Sequence, residues 1–261
     1  MSQLSSLLRG PKTLRVKRMY NQMFENSVLK QMIKEGTAVD QQGAPAKVKD
    51  RILAKHAEAL FRTVLELRPR RAIEGGMACG AATLSILTAL DQIGGEGSLV
   101  SIDPYQTRDW KGVGVASVAR AGLANRHRLI EDYDYAALPR LLAKGAQFEL
   151  AYIDGWHTFD YTLLDLFYID RMLTVGGVVG FNDCGWPAVH KVIKFLLSHR
   201  RYEEINVSLP RTFLRRMNAG QFVRRRFFND RAVDQLRIQE QDRYFRKLEA
   251  WEPKWNFFAE F

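Results

Sequence analysis

The chain has 261 residues, 46% of them apolar, and carries a net charge of +10 with a pI near 9.7. This suits one large α/β domain with additions, or two small ones, and excludes a disordered chain. No apolar run approaches the ~20 residues of a membrane span, residues 1–11 lack the apolar core of a secretory leader, and the two cysteines, Cys79 and Cys184, are too few for a disulfide framework. A cytoplasmic protein is therefore expected, and its positive charge leaves acidic partners open.

Leu14, Met19, Met23, Val28, Met32 and Ile33 recur at helical spacing, so a helix is expected over 13–35 with Gly36 as its C-cap. Residues 1–44 read as a helical extension, either a lid or a subunit contact, ahead of a main domain over 45–261. Residues 37–46 read as a loop. Ile52, Leu60, Phe61 and Val64 mark a second amphipathic helix, stopped by Arg68-Pro69.

The stretch 71–83 organises the rest of the chain. A short apolar strand meets Glu74, passes through Gly75, Gly76 and Gly80, and leaves as an Ala/Leu-rich helix over 81–90. Such a turn brings backbone N–H groups and open space to one point, where a nucleotide-like cofactor can lie against the main chain. Its spacing matches neither the dinucleotide fingerprint nor the P-loop.

Strand and helix then alternate. Strands are expected at 98–102, 128–130, 148–153 and 178–181, with helices at 116–124, 136–142, 159–173 and 187–198. This is the pattern of a doubly wound, Rossmann-like parallel sheet. An acid or amide closes each strand: Glu74, Asp103, Glu131 with Asp132, Asp154, and Asn182 with Asp183. In such sheets ligands bind at the carboxyl ends of strands, so these groups converge on one crevice. A further strand is expected at 204–207. Arg211 to Arg231 interleaves arginine with phenylalanine, a polar helix carries Gln235, Glu240, Arg243 and Lys247, and 255–261 reads as the last, antiparallel strand of about seven. The region 208–250 reads as a basic, aromatic insertion: a solvated face, a lid over the substrate, or a pocket for an anionic acceptor.

On these residues the chain resembles the class I S-adenosylmethionine-dependent methyltransferases, and more narrowly the metal-dependent small-molecule O-methyltransferases of the catechol and macrolide-sugar types. The resemblance spans about 48–198 and the final strand. It implies that Glu74, Gly76, Gly80 and Thr83 hold the methionine part of S-adenosylmethionine. Asp103 then binds the ribose hydroxyls, a role suited to a carboxylate because it accepts both hydroxyl hydrogens. Asp132 and Tyr133 contact adenine, and Trp156 lies against its ring. The run Ile153-Asp154-Gly155-Trp156-His157 resembles the family's Ile-Asp-Gly-x-His motif. Asp154, Asn182 and Asp183 are implied ligands of a divalent cation such as Mg²⁺, and Asp154 and His157 are implied catalytic groups, His157 as general base. The expected reaction is methylation of a hydroxyl on a sugar, a diol or a natural product, and a homo-oligomer is compatible with it. Two readings compete: a nucleic-acid methyltransferase using the Arg/Phe region, and a non-catalytic scaffold with the same fold.

Overall fold

The computed structural model describes residues 21–48, 52–207 and 242–261. The Arg/Phe stretch 211–231, the first part of the expected N-terminal helix, and Gln235, Glu240 and Gln241 lie outside these residues. Helix α1 (Ser27–Lys30) runs on into a π-helical turn, Gln31–Glu35, and ends at left-handed Gly36 (φ 70°), the expected C-cap. Where a loop was expected, β1 (Thr37–Val39) and β2 (Pro45–Lys47) form an antiparallel hairpin. Asp40 makes its turn: Oδ1 accepts from the N–H groups of Gln42 and Ala44 at 3.0 and 2.8 Å.

Helix α2 (Ala54–Leu67) stops at Arg68, which takes left-handed backbone (φ 52°) just before Pro69. The chain then alternates through β3 (Arg71–Gly75), α3 (Ala81–Ile93), β4 (Ser98–Ile102), α4 (Val113–Arg120), β5 (His127–Ile130), α5 (Asp134–Ala143), β6 (Phe148–Ile153), α6 (Phe159–Met172), β7 (Leu173–Phe181), α7 (Pro187–His199) and β8 (Tyr202–Ile205), and closes on β9 (Arg243–Lys247). Seven strands form one sheet in the order β5-β4-β3-β6-β7-β9-β8. All pairs are parallel except those of β9, which runs antiparallel to both β7 and β8.

The alternation of buried side chains explains the layering. Ala72, Leu150, Tyr152, Val178 and Tyr244 join one apolar cluster with α2 and α3, while Ile73, Ala151, Ile153, Val179 and Phe245 join another with α5, α6 and α7. Strands apolar at both parities need cover on both faces, and each fully buried Leu or Phe contributes about 2 kcal/mol to holding it. The segment 21–48 shares the first cluster through Met23, Leu29 and Met32, and Asn26 Nδ2 donates to Thr88 Oγ1 at 2.8 Å. Among the described residues no helix is long and apolar enough to cross a membrane.

One expected element is misplaced. The antiparallel strand is Arg243–Lys247, inside the stretch read as an insertion, and 255–261 is no strand. The slot between β7 and β8 demands an apolar group on each face, which Tyr244 and Phe245 supply, both fully buried. The charges beside them are paired: Arg243 donates to Glu204 through two nitrogens at 2.9 and 2.8 Å, and Lys247 Nζ lies 3.3 Å from Asp170 Oδ1. The terminal aromatics instead surround His199 of α7, with the Phe257 and Phe261 rings edge-on at 5.4 and 5.2 Å.

Candidate active site

Chain order reverses between β3 and β6, the position at which a doubly wound sheet opens a crevice above its strand ends. The glycine loop after β3 lies on the end of β6. Gly76 adopts φ 85°, and a Cβ there would meet the Asp154 carbonyl oxygen at 2.1 Å, so only glycine fits. Gly80 (φ 87°) is pressed against Gly114 of α4 rather than against open space, with 3.1 Å between its would-be Cβ and Gly114 Cα. Asp103 at the end of β4 fixes the loop. Its Oδ2 accepts from the N–H groups of Met77 and Ala78 at 3.1 and 2.8 Å, and its Oδ1 from Tyr105 N at 2.8 Å.

Glu74 lies beneath this loop. It is fully buried, and its Oε1 accepts from Thr83 Oγ1 at 2.5 Å and Ser101 Oγ at 2.7 Å, while Oε2 has no partner among the described residues. Burial pushes its carboxyl up to about 8. Glu74, Gly80 and Thr83 therefore brace the loop from behind and do not border the cavity in front of it.

That cavity measures about 440 Å³. Of the residues expected to hold the cofactor, Gly76, Asp103, Tyr133, Asp154 and Trp156 line it. Asp132 does not: its carboxylate turns outward to Arg140. Asp134, two residues on, lines the cavity instead, together with Tyr105, Tyr135 and Tyr161. The rings form a continuous rim, with Tyr133 stacked on Tyr135 at 5.0 Å, Tyr105 edge-on to Tyr133 at 6.0 Å and Trp156 6.4 Å from Tyr105. Volume, rings and backbone N–H groups suit a nucleoside-bearing ligand. Behind the cavity Asp134 meets a second buried acid, Asp165 of α6, neither of whose oxygens has a partner among the described residues. Burial, and then the Asp103 carboxylate, pushes Asp134 up to about 7; burial, and then Asp134, pushes Asp165 far higher than an ordinary carboxyl.

A second cavity, of about 320 Å³, adjoins the first, and Ala78, Trp110, Asp154 and Gly155 line both. The rest of its lining includes His56, His157, Asn182 and Asp183 on the polar side and Ile52 and Leu53 on the apolar side. Two lining residues, Ala78 (φ 47°) and Asp183 (φ 48°), hold left-handed backbone without being glycine, a strain of the kind that collects at functional sites. His157 Nε2 is buried 3.7 Å from both Asp154 Oδ1 and Asp183 Oδ2 and has no hydrogen-bond partner among the described residues. Burial works to lower the imidazole's affinity for a proton, but Asp154 and then Asp183 outweigh it, so His157 titrates above its ordinary range. Burial raises the Asp154 carboxyl to about 6, against the pull of His157.

Asn182 donates through Nδ2 to Asp242 Oδ1 at 3.1 Å and to Tyr152 OH at 3.3 Å, which leaves the amide oxygen as its remaining polar group. The oxygens of Asp154, Asn182 and Asp183 thus belong to residues lining one cavity. Among the described residues, however, no group of three or more His, Cys, Asp or Glu side chains is gathered so as to hold a metal ion. A larger hollow of about 860 Å³ lies against Arg70, Arg71, Gly95 and Glu149, at the amino ends of the strands, away from all of these groups.

Asp134, Tyr105, His56 and Asp242 were not singled out from sequence. Only Asp134 left a signal there, an acid next to the tyrosine expected at the adenine position.

Residues 73–184 match a family model described as a methyltransferase domain. Among curated proteins none matches the chain. Solved structures with the same fold include the O-methyltransferase TomG of Streptomyces achromogenes, in complex with S-adenosylmethionine, at 18% identity and TM-score 0.53, over 59% of this chain and 73% of that one. An O-methyltransferase of Bacillus cereus, in complex with S-adenosylhomocysteine, aligns at 11% identity and TM-score 0.54 over 72% and 82% of the two chains. The methyltransferase PaMTH1 of Podospora anserina, bound to S-adenosylhomocysteine, aligns at 12% identity and TM-score 0.57 over 92% and 97%. The match to a methyltransferase domain over residues 73–184 and the fold shared with these solved structures agree with the glycine loop and the cavity in front of it.

Proposed function

We propose that this protein methylates a hydroxyl oxygen of a small molecule, a sugar, a diol or a natural product, with His157 as general base. The observation that carries the reading is the wall common to the two cavities. A methyl donor in the ring-lined cavity and an acceptor in the His157 cavity meet across Ala78, Trp110, Asp154 and Gly155. The cofactor supplies a methyl group already activated on a sulfonium. The protein's part is to align the acceptor oxygen and take up its proton, and alignment alone is worth orders of magnitude in rate. His157 is placed to take that proton because Asp154 and Asp183 stabilise the imidazolium that results. With S-adenosylmethionine bound, the acceptor proton would pass to the His157 ring, the oxygen would form the new bond to the methyl carbon, and the carbon–sulfur bond would break to leave S-adenosylhomocysteine. Titrated methyl transfer to a panel of sugars and phenols, scored by mass, tests this: methyl ethers support it, and methylation confined to nitrogen or carbon overturns it.

Assistance by a divalent cation is the finer part of the reading. Asp154, Asn182 and Asp183 are the residues that would hold Mg²⁺, and the ion would add positive charge beside the acceptor hydroxyl. As arranged, His157 Nε2 faces both carboxylates at 3.7 Å. A metal role predicts that chelator removes activity and that Mg²⁺ restores it, whereas imidazolium pairing alone predicts full activity in chelator.

A further inference from the structure

His56 takes no part in the proton transfer to His157, yet it lines the same cavity. It sits in the first turn of α2 with only 3% of its surface exposed, and its Nδ1 lies 2.8 Å from Asp242 Oδ1. Asp242, just before β9, is itself buried. Tyr152 OH donates to its Oδ2 at 2.9 Å, and Asn182 Nδ2 donates to its Oδ1 at 3.1 Å. A carboxylate holding these donors can only accept from His56, so a ring proton sits on Nδ1, and in the neutral ring Nε2 carries the lone pair. Nε2 has no partner among the described residues and is not among the sealed-off polar atoms. A buried imidazole fixed on one side by a carboxylate, with an unpaired acceptor nitrogen at the cavity, is built to receive a donor from a ligand.

We infer that His56, oriented by Asp242, accepts a hydrogen bond from a second hydroxyl of the acceptor and makes the enzyme select polyhydroxylated molecules over their mono-hydroxy counterparts. This rests on the proposed O-methylation. His157 addresses the hydroxyl that is methylated and His56 one that is not. The same Asp242 also anchors the Asn182 amide, so one carboxylate sets two polar groups of the acceptor cavity. Ile52, Leu53 and Trp110 add an apolar side, so the fitting acceptor has a hydrophobic face as well as its hydroxyls.

The test uses the full-length protein and paired acceptors, each diol matched with its singly deoxygenated partner: catechol with phenol, and a methyl glycoside with its deoxy analogue. Wild type is expected to favour the diol by about tenfold or more in kcat/KM, since a site built to bond a hydroxyl rejects the analogue that lacks it. His56→Asn retains a donor for Asp242 while removing Nε2, and it should bring the ratio of diol to mono-ol close to one. S-adenosylhomocysteine affinity, measured by calorimetry, reports whether the fold survives. If that variant does not fold, Asp242→Asn, which lets the ring turn, should lower the same ratio. An unchanged ratio in a folded variant, or equal rates on both partners in wild type, overturns the inference while leaving O-methylation standing. Absence of methyl ether from every acceptor overturns both.

Discussion

The two cavities share a wall but are built on different principles. The ring-lined cavity, proposed for the donor, is backbone and rings: a glycine loop pressed onto the next strand, four tyrosines and two tryptophans. Glu74 serves it from behind through Thr83 and Ser101, while Asp103 lines it and fixes the loop amides. The second cavity, proposed for the acceptor, is side-chain charge: two histidines, each beside a carboxylate, together with Asn182. The difference teaches where tolerance lies. A cofactor held by main chain and ring area fails when the backbone cannot close, whereas an acceptor held by charge fails when one proton or one oxygen is displaced.

Five substitutions sharpen or break this contrast. The largest effect is expected from His157→Gln, which should lower kcat by about 10²–10⁴-fold with S-adenosylhomocysteine affinity within about twofold of wild type. In wild type, kcat/KM should fall as pH drops through the raised pKa of His157, because the protonated ring cannot take a proton; a profile flat below pH 6.5 in steady-state assays would remove His157 from the base role. Gly76→Ala comes next. A Cβ 2.1 Å from the Asp154 carbonyl, on backbone at φ 85°, forces the loop off β6, so calorimetry should show at least ~100-fold weaker cofactor binding. Trp156→Ala and Tyr135→Ala remove ring area alone and should weaken that binding by about three- to tenfold.

The smallest effect concerns the acids behind the donor cavity. Asp165 is held protonated in the fold by burial and then by Asp134. A carboxyl whose folded pKa is raised contributes fully below its unfolded value, and that contribution is lost as pH rises through the folded one. Asp165→Asn escapes this loss. It should melt a few degrees above wild type near pH 8 and show no gain near pH 4, and calorimetric melts at the two pH values measure it. A lower melting temperature at pH 8 would mean that the pair is ionised and held by something else.

The sheet and its crevice were legible because strand ends and strand starts carry opposite chemistry. Buried runs such as Phe148–Ile153 end in an acid, and glycine appears where two backbones touch. Asp132 and Asp134 could not be told apart because both sit at the start of α5, and only the direction of the chain there decides which one Arg140 draws outward. Strand β9 was hidden by Arg243, Arg246 and Lys247. The partners of Arg243 and Lys247, which are Glu204, Asp170 and the Leu173 carbonyl, lie far away in sequence, so a strand with a full core looked like part of a polar helix. The aromatic C-terminus was mistaken for that strand for the converse reason, its rings being spent on His199. The His56–Asp242 pair joins residues 186 apart in sequence and left no local trace.

The division of labour between the cavities is tested most directly by a crystal structure of the full chain with S-adenosylhomocysteine. The nucleoside should lie in the ring-lined cavity, adenine beside Tyr133 and Asp134 and sulfur toward Asp154 and Gly155. A ligand seated instead between His56 and His157, or in the hollow beside Arg70, would contradict it.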